Sequence, residues 1–149
     1  MKRATKILSI SLLVCLSIYT TVYLNLNRGS KVVNGIEISE VLLVHTRDRG
    51  IDYCEILSTA TKGDEESIRE LLLLEIYDAA GYDHGTVIVD LIKIVGEDKI
   101  IRAIEVMNCK QKTSITSYIE AGLQYGNNPN SAKQELNDIF PDVYNSLKC

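Results

Sequence analysis

The chain has 149 residues, 16 Lys+Arg against 20 Asp+Glu, four cysteines, two histidines, eight tyrosines and no tryptophan. That length carries one domain. A net charge of −4 argues against a partner bound through its phosphates, and two histidines with no paired cysteine spacing argue against zinc.

Lys2, Arg3 and Lys6 precede an uncharged run over residues 7–27, ILSISLLVCLSIYTTVYLNLN. A basic start before an apolar stretch is the pattern of an export signal. The run is also long enough to cross a bilayer, which takes about 20 residues. Residues 1–27 are therefore expected to be a signal peptide or a retained anchor, with Tyr19 and Tyr23 at the interface of the latter. Either way the body is expected in the periplasm or cell envelope. With this segment set aside, residues 28–149 keep 13 basic and 20 acidic groups, a net of −7. A body of that sign suits a basic protein partner and not nucleic acid, and it meets the membrane only through residues 7–26.

Residues 28–36 read as a polar spacer, and residues 37–149 as the helical domain. Ser39 heads a short helix with Ile38, Val41, Leu42 and His45 on one face, closed by Gly50. His45 there reads as a packing residue. Asp52 and Glu55 form a capping box before Tyr53, Ile56, Leu57 and Ala60, and Lys62-Gly63 stops that helix. Asp64, Glu65 and Glu66 open the next helix at the positive end of its dipole. Ile68, Leu71, Leu72, Leu74, Ile76 and Ala79 fill it, and Gly81 ends it. Four consecutive leucines, Leu71 to Leu74, cannot share one stripe. This helix is covered on two sides, or it leaves a leucine as a contact site.

Residues 83–107 are the stretch around which the domain is expected to pack. VIVDLIKIV is apolar on most sides, and Thr86, Asp90, Lys93 and Glu97 form its polar stripe at helical spacing. Val87, Ile88, Val89, Ile92, Ile94 and Val95 favour strand by propensity. A strand, however, would set Asp90 and Lys93 on opposite faces and turn one of them inward. Gly96 then breaks the run from an amphipath with Ile100, Ile101, Ile104 and Met107 on one side and Asp98, Lys99, Arg102 and Glu105 on the other. Lys110 to Lys112 reads as a turn, with Thr113 or Ser114 capping a helix that aligns Ile115, Tyr118, Ile119 and Gly122. Gly126-Asn127-Asn128-Pro129-Asn130 is the strongest loop signal. Ser131 with Gln134 is a second capping box, and Leu136, Ile139, Phe140, Val143 and Leu147 carry a helical face onward. Pro141 starts a last helix or kinks one. The expected fold is all-α: a compact bundle of about six or seven short helices, with HEAT-like pairs over residues 52–80 and 83–108 and no hairpin.

In an oxidising compartment two of Cys54, Cys109 and Cys149 are expected to pair. Cys54 with Cys109 is the favoured pair, since each flanks an amphipathic helix, and Cys149 can replace either. No metal or other cofactor is expected. Residues 81–86 place Tyr82, Asp83 and His84 between glycines, and an Asp–His neighbour pair could orient a general base. No nucleophile sits at a recognisable elbow, so Asp83 reads as an N-cap and His84 as a solvated first-turn residue. Six tyrosines lie in the body, and tyrosine is enriched at protein contacts. The candidate partner surface is therefore Asp64, Glu65, Glu66, Tyr82, Asp83, His84 and Tyr125, with no catalytic residues.

An export signal, a small acidic helical body and a single disulfide together resemble the layout of periplasmic immunity proteins, which neutralise secreted bacterial toxins. The run GDEESIRELLLLEIYDAAGYDHGTVIVDLIKIVGEDKIIRAI resembles their helix pairs and those of HEAT-like modules. The resemblance implies a non-enzymatic inhibitor that binds a basic toxin, and it carries over no functional residue. The alternatives are a small envelope enzyme using Asp83 and His84, a membrane-anchored structural subunit, and a homodimer through the leucine-rich helix.

Overall fold

Asn34 and Gly35 turn the chain back on itself at the start of the domain. The computed structural model describes residues 29–126 and 135–149, so the expected signal or anchor segment over residues 1–27, Asn127 to Asn130 and the expected Ser131–Gln134 box lie outside the described residues. Strands β1 (Lys31–Val33) and β2 (Ile36–Ile38) pair antiparallel, with Val33 opposite Ile36. Asn34 and Gly35 both have positive φ, 49° and 91°. That is the backbone a two-residue hairpin requires and Asn-Gly supplies. Ile36 and Ile38 are buried while Glu37 faces out. Two expectations are corrected here. Residues 31–36 are not a spacer, and a hairpin is present; alternation over two three-residue strands is a faint signal that the turn residues outweigh.

Eight helices follow among the described residues: α1 (Glu40–Asp48), α2 (Tyr53–Ala60), α3 (Glu65–Leu72), α4 (Asp78–Val95), α5 (Glu97–Glu105), α6 (Cys109–Tyr125), α7 (Leu136–Ile139) and α8 (Pro141–Leu147). The domain is mostly helical, as expected. Ser39, Asp52 and Asp64 cap α1, α2 and α3 by accepting from the amides of Leu42, Glu55 and Ser67. Gly50 and Gly63, at φ 71° and 87°, turn the chain after α1 and α2.

The next break falls earlier than expected. Helix α3 stops at Leu72; Leu73 closes it in αR backbone, and residues 74–77 form a non-helical link to α4. Tyr118 of α6 makes this stop stable. Its hydroxyl accepts from the Ile76 N–H at 3.0 Å and donates to the Ile76 carbonyl at 2.9 Å, replacing bonds a continued helix would have made. Gly81 does not end a helix; α4 runs through both Gly81 and Gly85. The reason is proximity. A Cβ on Gly85 would lie 2.2 Å from the Tyr118 carbonyl oxygen, and one on Gly122 would lie 2.2 Å from the Gly85 carbonyl oxygen. These glycines let two backbones touch, and α6 is the chief neighbour of α4. The expected pairing of residues 83–108 with each other is thus secondary to the crossing of α4 and α6.

The central run is helical despite its β-branched content. Val87, Ile88, Val89, Leu91 and Ile92 are buried, and Gly96 at φ 85° separates α4 from α5. Ile100, Ala103 and Ile104 form the buried face of α5. Helix α6 begins at Cys109, ahead of the expected Thr113 or Ser114. Asn108 accepts from the Gln111 amide while the Gln111 side chain accepts from the Asn108 amide, a complete reciprocal cap.

The C-terminal helices seal the bundle with Leu136, Phe140, Val143 and Leu147. Pro141 opens α8, and the Glu97 carboxylate of α5 accepts from the amides of Asp142 and Val143 at 2.9 Å each. Cys109 bonds Cys149, and Cys54 is a free, half-buried thiol on α2, which corrects the expected Cys54–Cys109 pair. The bond ties the first residue of α6 to the segment after α8, a closure across the fold that helix periodicity does not reveal.

Gly122→Ala should lower the unfolding free energy by at least about 2 kcal/mol in urea titration. Gly29→Ala, where a Cβ meets nothing within 4 Å, should leave it unchanged. Replacing Cys149 with Ser opens a 40-residue separation and should cost about 4 kcal/mol by the same measurement.

Candidate functional site

Tyr82, Asp83 and His84 are consecutive, and a helix turns successive side chains about 100° apart. Inside α4 they consequently point three ways. Tyr82 faces solvent at 49% exposure. Asp83 turns toward α1 and accepts a short hydrogen bond from the Ser39 hydroxyl, which itself accepts from the Leu42 amide. His84 faces the core and is fully buried. The expected solvated His84 is therefore corrected, and Asp83 is not an N-cap but a partner of one. Neither residue orients the other, so they form no acid–base pair.

His84 sits in an aromatic cage. Its Nδ1 lies 2.7 Å from the Tyr53 hydroxyl, and its ring meets those of Tyr53 and Tyr118 edge to face, with centroids 5.7 Å and 4.9 Å away. Burial pushes the imidazole down from 6.5 to about 3, with the Leu71 carbonyl working the other way. Burial likewise holds the Tyr53 hydroxyl well above its usual value, and Cys54 adds to it. A neutral imidazole beside a protonated phenol fixes the roles: Tyr53 donates to Nδ1, and the ring proton sits on Nε2. This cluster is a buried polar joint between α2, α4 and α6. It offers nothing to a substrate.

The surface above the α4–α6 crossing is different. Tyr82 of α4 and Tyr125, the last residue of α6, meet edge to face with ring centroids 4.9 Å apart and planes at 71°. Tyr125 is 61% exposed. Both were expected as contact residues, and the fold brings them together. The acidic group lies elsewhere, at the N-terminus of α3. Asp64 holds the Ser67 amide, which keeps its carboxyl below the ordinary range. Glu65 pairs with Arg102 at 2.5 Å, and Glu66 is exposed.

A groove of about 520 Å³ lies between residues 72–77 and the N-terminal half of α6. Leu72, Leu73, Leu74 and the Tyr118 ring line one part of it, and Glu75, Tyr77, Lys110 and Ser114 another. Sequence reasoning did not place it. Its signal was the four-leucine run, where Leu71 and Leu72 are buried and Leu73 and Leu74 stay half-exposed. Among the described residues no group of three potential ligands could hold a metal, and no helix is long and apolar enough to cross a membrane. No protein-family model, curated protein or solved structure matches the chain.

A native histidine at about 3 and an unfolded one at 6.5 make folding oppose protonation. The unfolded chain takes a proton the native chain refuses. Stability from this group is complete above pH 6.5 and is lost toward pH 3, by up to about 1.4 kcal/mol per unit. Urea unfolding of His84→Gln across pH 4–7 should show a flatter slope than the parent chain.

Proposed function

We propose that this chain is an exported, non-enzymatic binding protein whose partner docks on the exposed Tyr82–Tyr125 pair. In its specific form it is an immunity protein that holds and neutralises a basic secreted toxin. The observation that carries the reading is the pair itself: two large rings, about half exposed, set against each other on a rigid helix crossing. Tyrosine offers much contact area for two rotatable bonds, so little ordering entropy is lost when a partner covers it. Ordinary surface tyrosines lie singly and need no such support.

The body's net charge of −7 over residues 28–149 adds the second element. It favours encounter with a cationic surface and raises the association rate more than the final affinity. Glu66 is exposed and Glu65 is held by Arg102, so of the acidic group Glu66 is the freer to steer. Export places the body where a secreted toxin would be met, on the strength of Lys2, Arg3 and Lys6 before residues 7–27. The enzyme alternative has no support in the arrangement of Asp83 and His84.

The test is protection. Cells producing the full-length chain are challenged with candidate secreted toxins, and affinity for the toxin that is neutralised is then measured. Tyr82→Ala with Tyr125→Ala should cost at least about 30-fold in affinity, with the thermal midpoint unmoved. Unchanged affinity at that midpoint overturns the reading.

A further inference from the structure

Tyr82 and Tyr125 offer a shape as well as an area. Their ring planes stand at 71° with centroids 4.9 Å apart, so the pair bounds a corner with a π face on each wall. The rings are 49% and 61% exposed, which leaves room on those faces for a guest. The Gly85–Gly122 contact holds together the two helices that carry them, so the corner exists before anything binds.

The face of an aromatic ring is negative and attracts a cation. The charges around this corner have the same sign as the faces. Within five residues either side of Tyr82 and Tyr125 the chain has Asp78, Asp83 and Glu120 and no lysine or arginine. Asp78 lies one turn before Tyr82 on α4, on the same side of the helix. It is exposed, and among the described residues it makes no ion pair. The cations farther away lie apart or are engaged. Lys93 pairs with Asp90, Lys112 donates to the Ser146 carbonyl, and Arg49 of α1 donates to the Glu75 carbonyl in the link before α4. Lys110 is in the first turn of α6, at the opposite end from Tyr125.

We propose that this corner seats one arginine side chain of the protein partner, with its guanidinium stacked on one tyrosine ring, edged by the other and drawn by Asp78. Arginine fits better than lysine because its cation is planar and weakly hydrated, so it stacks on a ring at a smaller desolvation cost. An aliphatic guest would gain contact area and leave the negative potential unmatched. The proposal rests on the reading of Tyr82 and Tyr125 as the docking surface, and it names the group that a basic partner places there.

The test is an NMR titration of the full-length chain with N-acetyl-arginine methylamide and with its citrulline counterpart, which keeps the shape and loses the charge. Arginine should shift the ring protons of Tyr82 and Tyr125 saturably and bind about threefold tighter than citrulline. The Tyr144 ring, already covered by Lys148 with its Nζ 4.4 Å from the centroid, should not move. Tyr82→Phe with Tyr125→Phe keeps both π faces and should keep the preference. Tyr82→Leu with Tyr125→Leu should abolish it, and Asp78→Asn should narrow it. Equal binding of the two compounds, no saturable shift, or a preference that survives the leucine changes overturns the proposal. Loss of toxin affinity in Tyr82→Ala with Tyr125→Ala, beside no preference for arginine in the parent chain, would sink the arginine seat and keep the docking surface. A preference for arginine beside unchanged toxin affinity would keep the arginine seat and sink the docking reading.

Discussion

The backbone contact between Gly85 and Gly122 is the constraint from which most of this domain follows. Two helices can approach this closely only where neither carries a Cβ. Either glycine, given one, would meet main-chain atoms of the other helix at about 2.2 Å. Main chain cannot rotate aside as a long side chain can, so the requirement admits no easy repair. The position of the crossing sets the rest. It places Tyr118 against Ile76 in the link between α3 and α4, His84 between two tyrosine rings, and Tyr82 beside Tyr125.

The same crossing has a buried side and a solvent side with opposite characters. Inward, His84 is kept neutral and bonded to Tyr53 through Nδ1, while its buried Nε2 has no hydrogen-bond partner among the described residues, a cost the packing around it must offset. Such a joint fixes the mutual orientation of α2, α4 and α6. Outward, the two exposed tyrosines are held without any hydrogen bond of their own to each other, by ring contact over a rigid base. The fold thereby buries His84 as architecture and leaves Tyr82 and Tyr125 at the surface. The C-terminal helix α8 is fixed by Glu97 of α5 and by the Cys109–Cys149 bond to α6.

Local chemistry was readable in the sequence and distant chemistry was not. Ser39, Asp52 and Asp64 cap helices, Gly96 separates two, and Pro141 opens one, because each effect spans only a few residues. Gly85 looked like a turn residue because the reason for it lies on α6, more than 30 positions away, whereas Gly81 sits against the Ile76 carbonyl just before α4. The stop after Leu72 was hidden likewise, since a hydroxyl 42 residues away from Ile76 supplies the missing bonds. Asn34-Gly35 was legible as a turn and was undervalued beside such short strands. For the candidate surface, neither the exposure of Tyr82 and Tyr125 nor their meeting followed from residue type, since Tyr53 is buried. His84 misled because adjacency in sequence was read as adjacency in space. The cysteine pairing depended on chain closure, which no periodicity encodes.

The most direct test of this account is a nuclear Overhauser spectrum of the full-length chain. The helix crossing predicts a strong cross-peak between the α-protons of Gly85 and Gly122, together with cross-peaks between the rings of Tyr82 and Tyr125. A folded, helical chain lacking both sets would contradict the crossing and the surface built upon it.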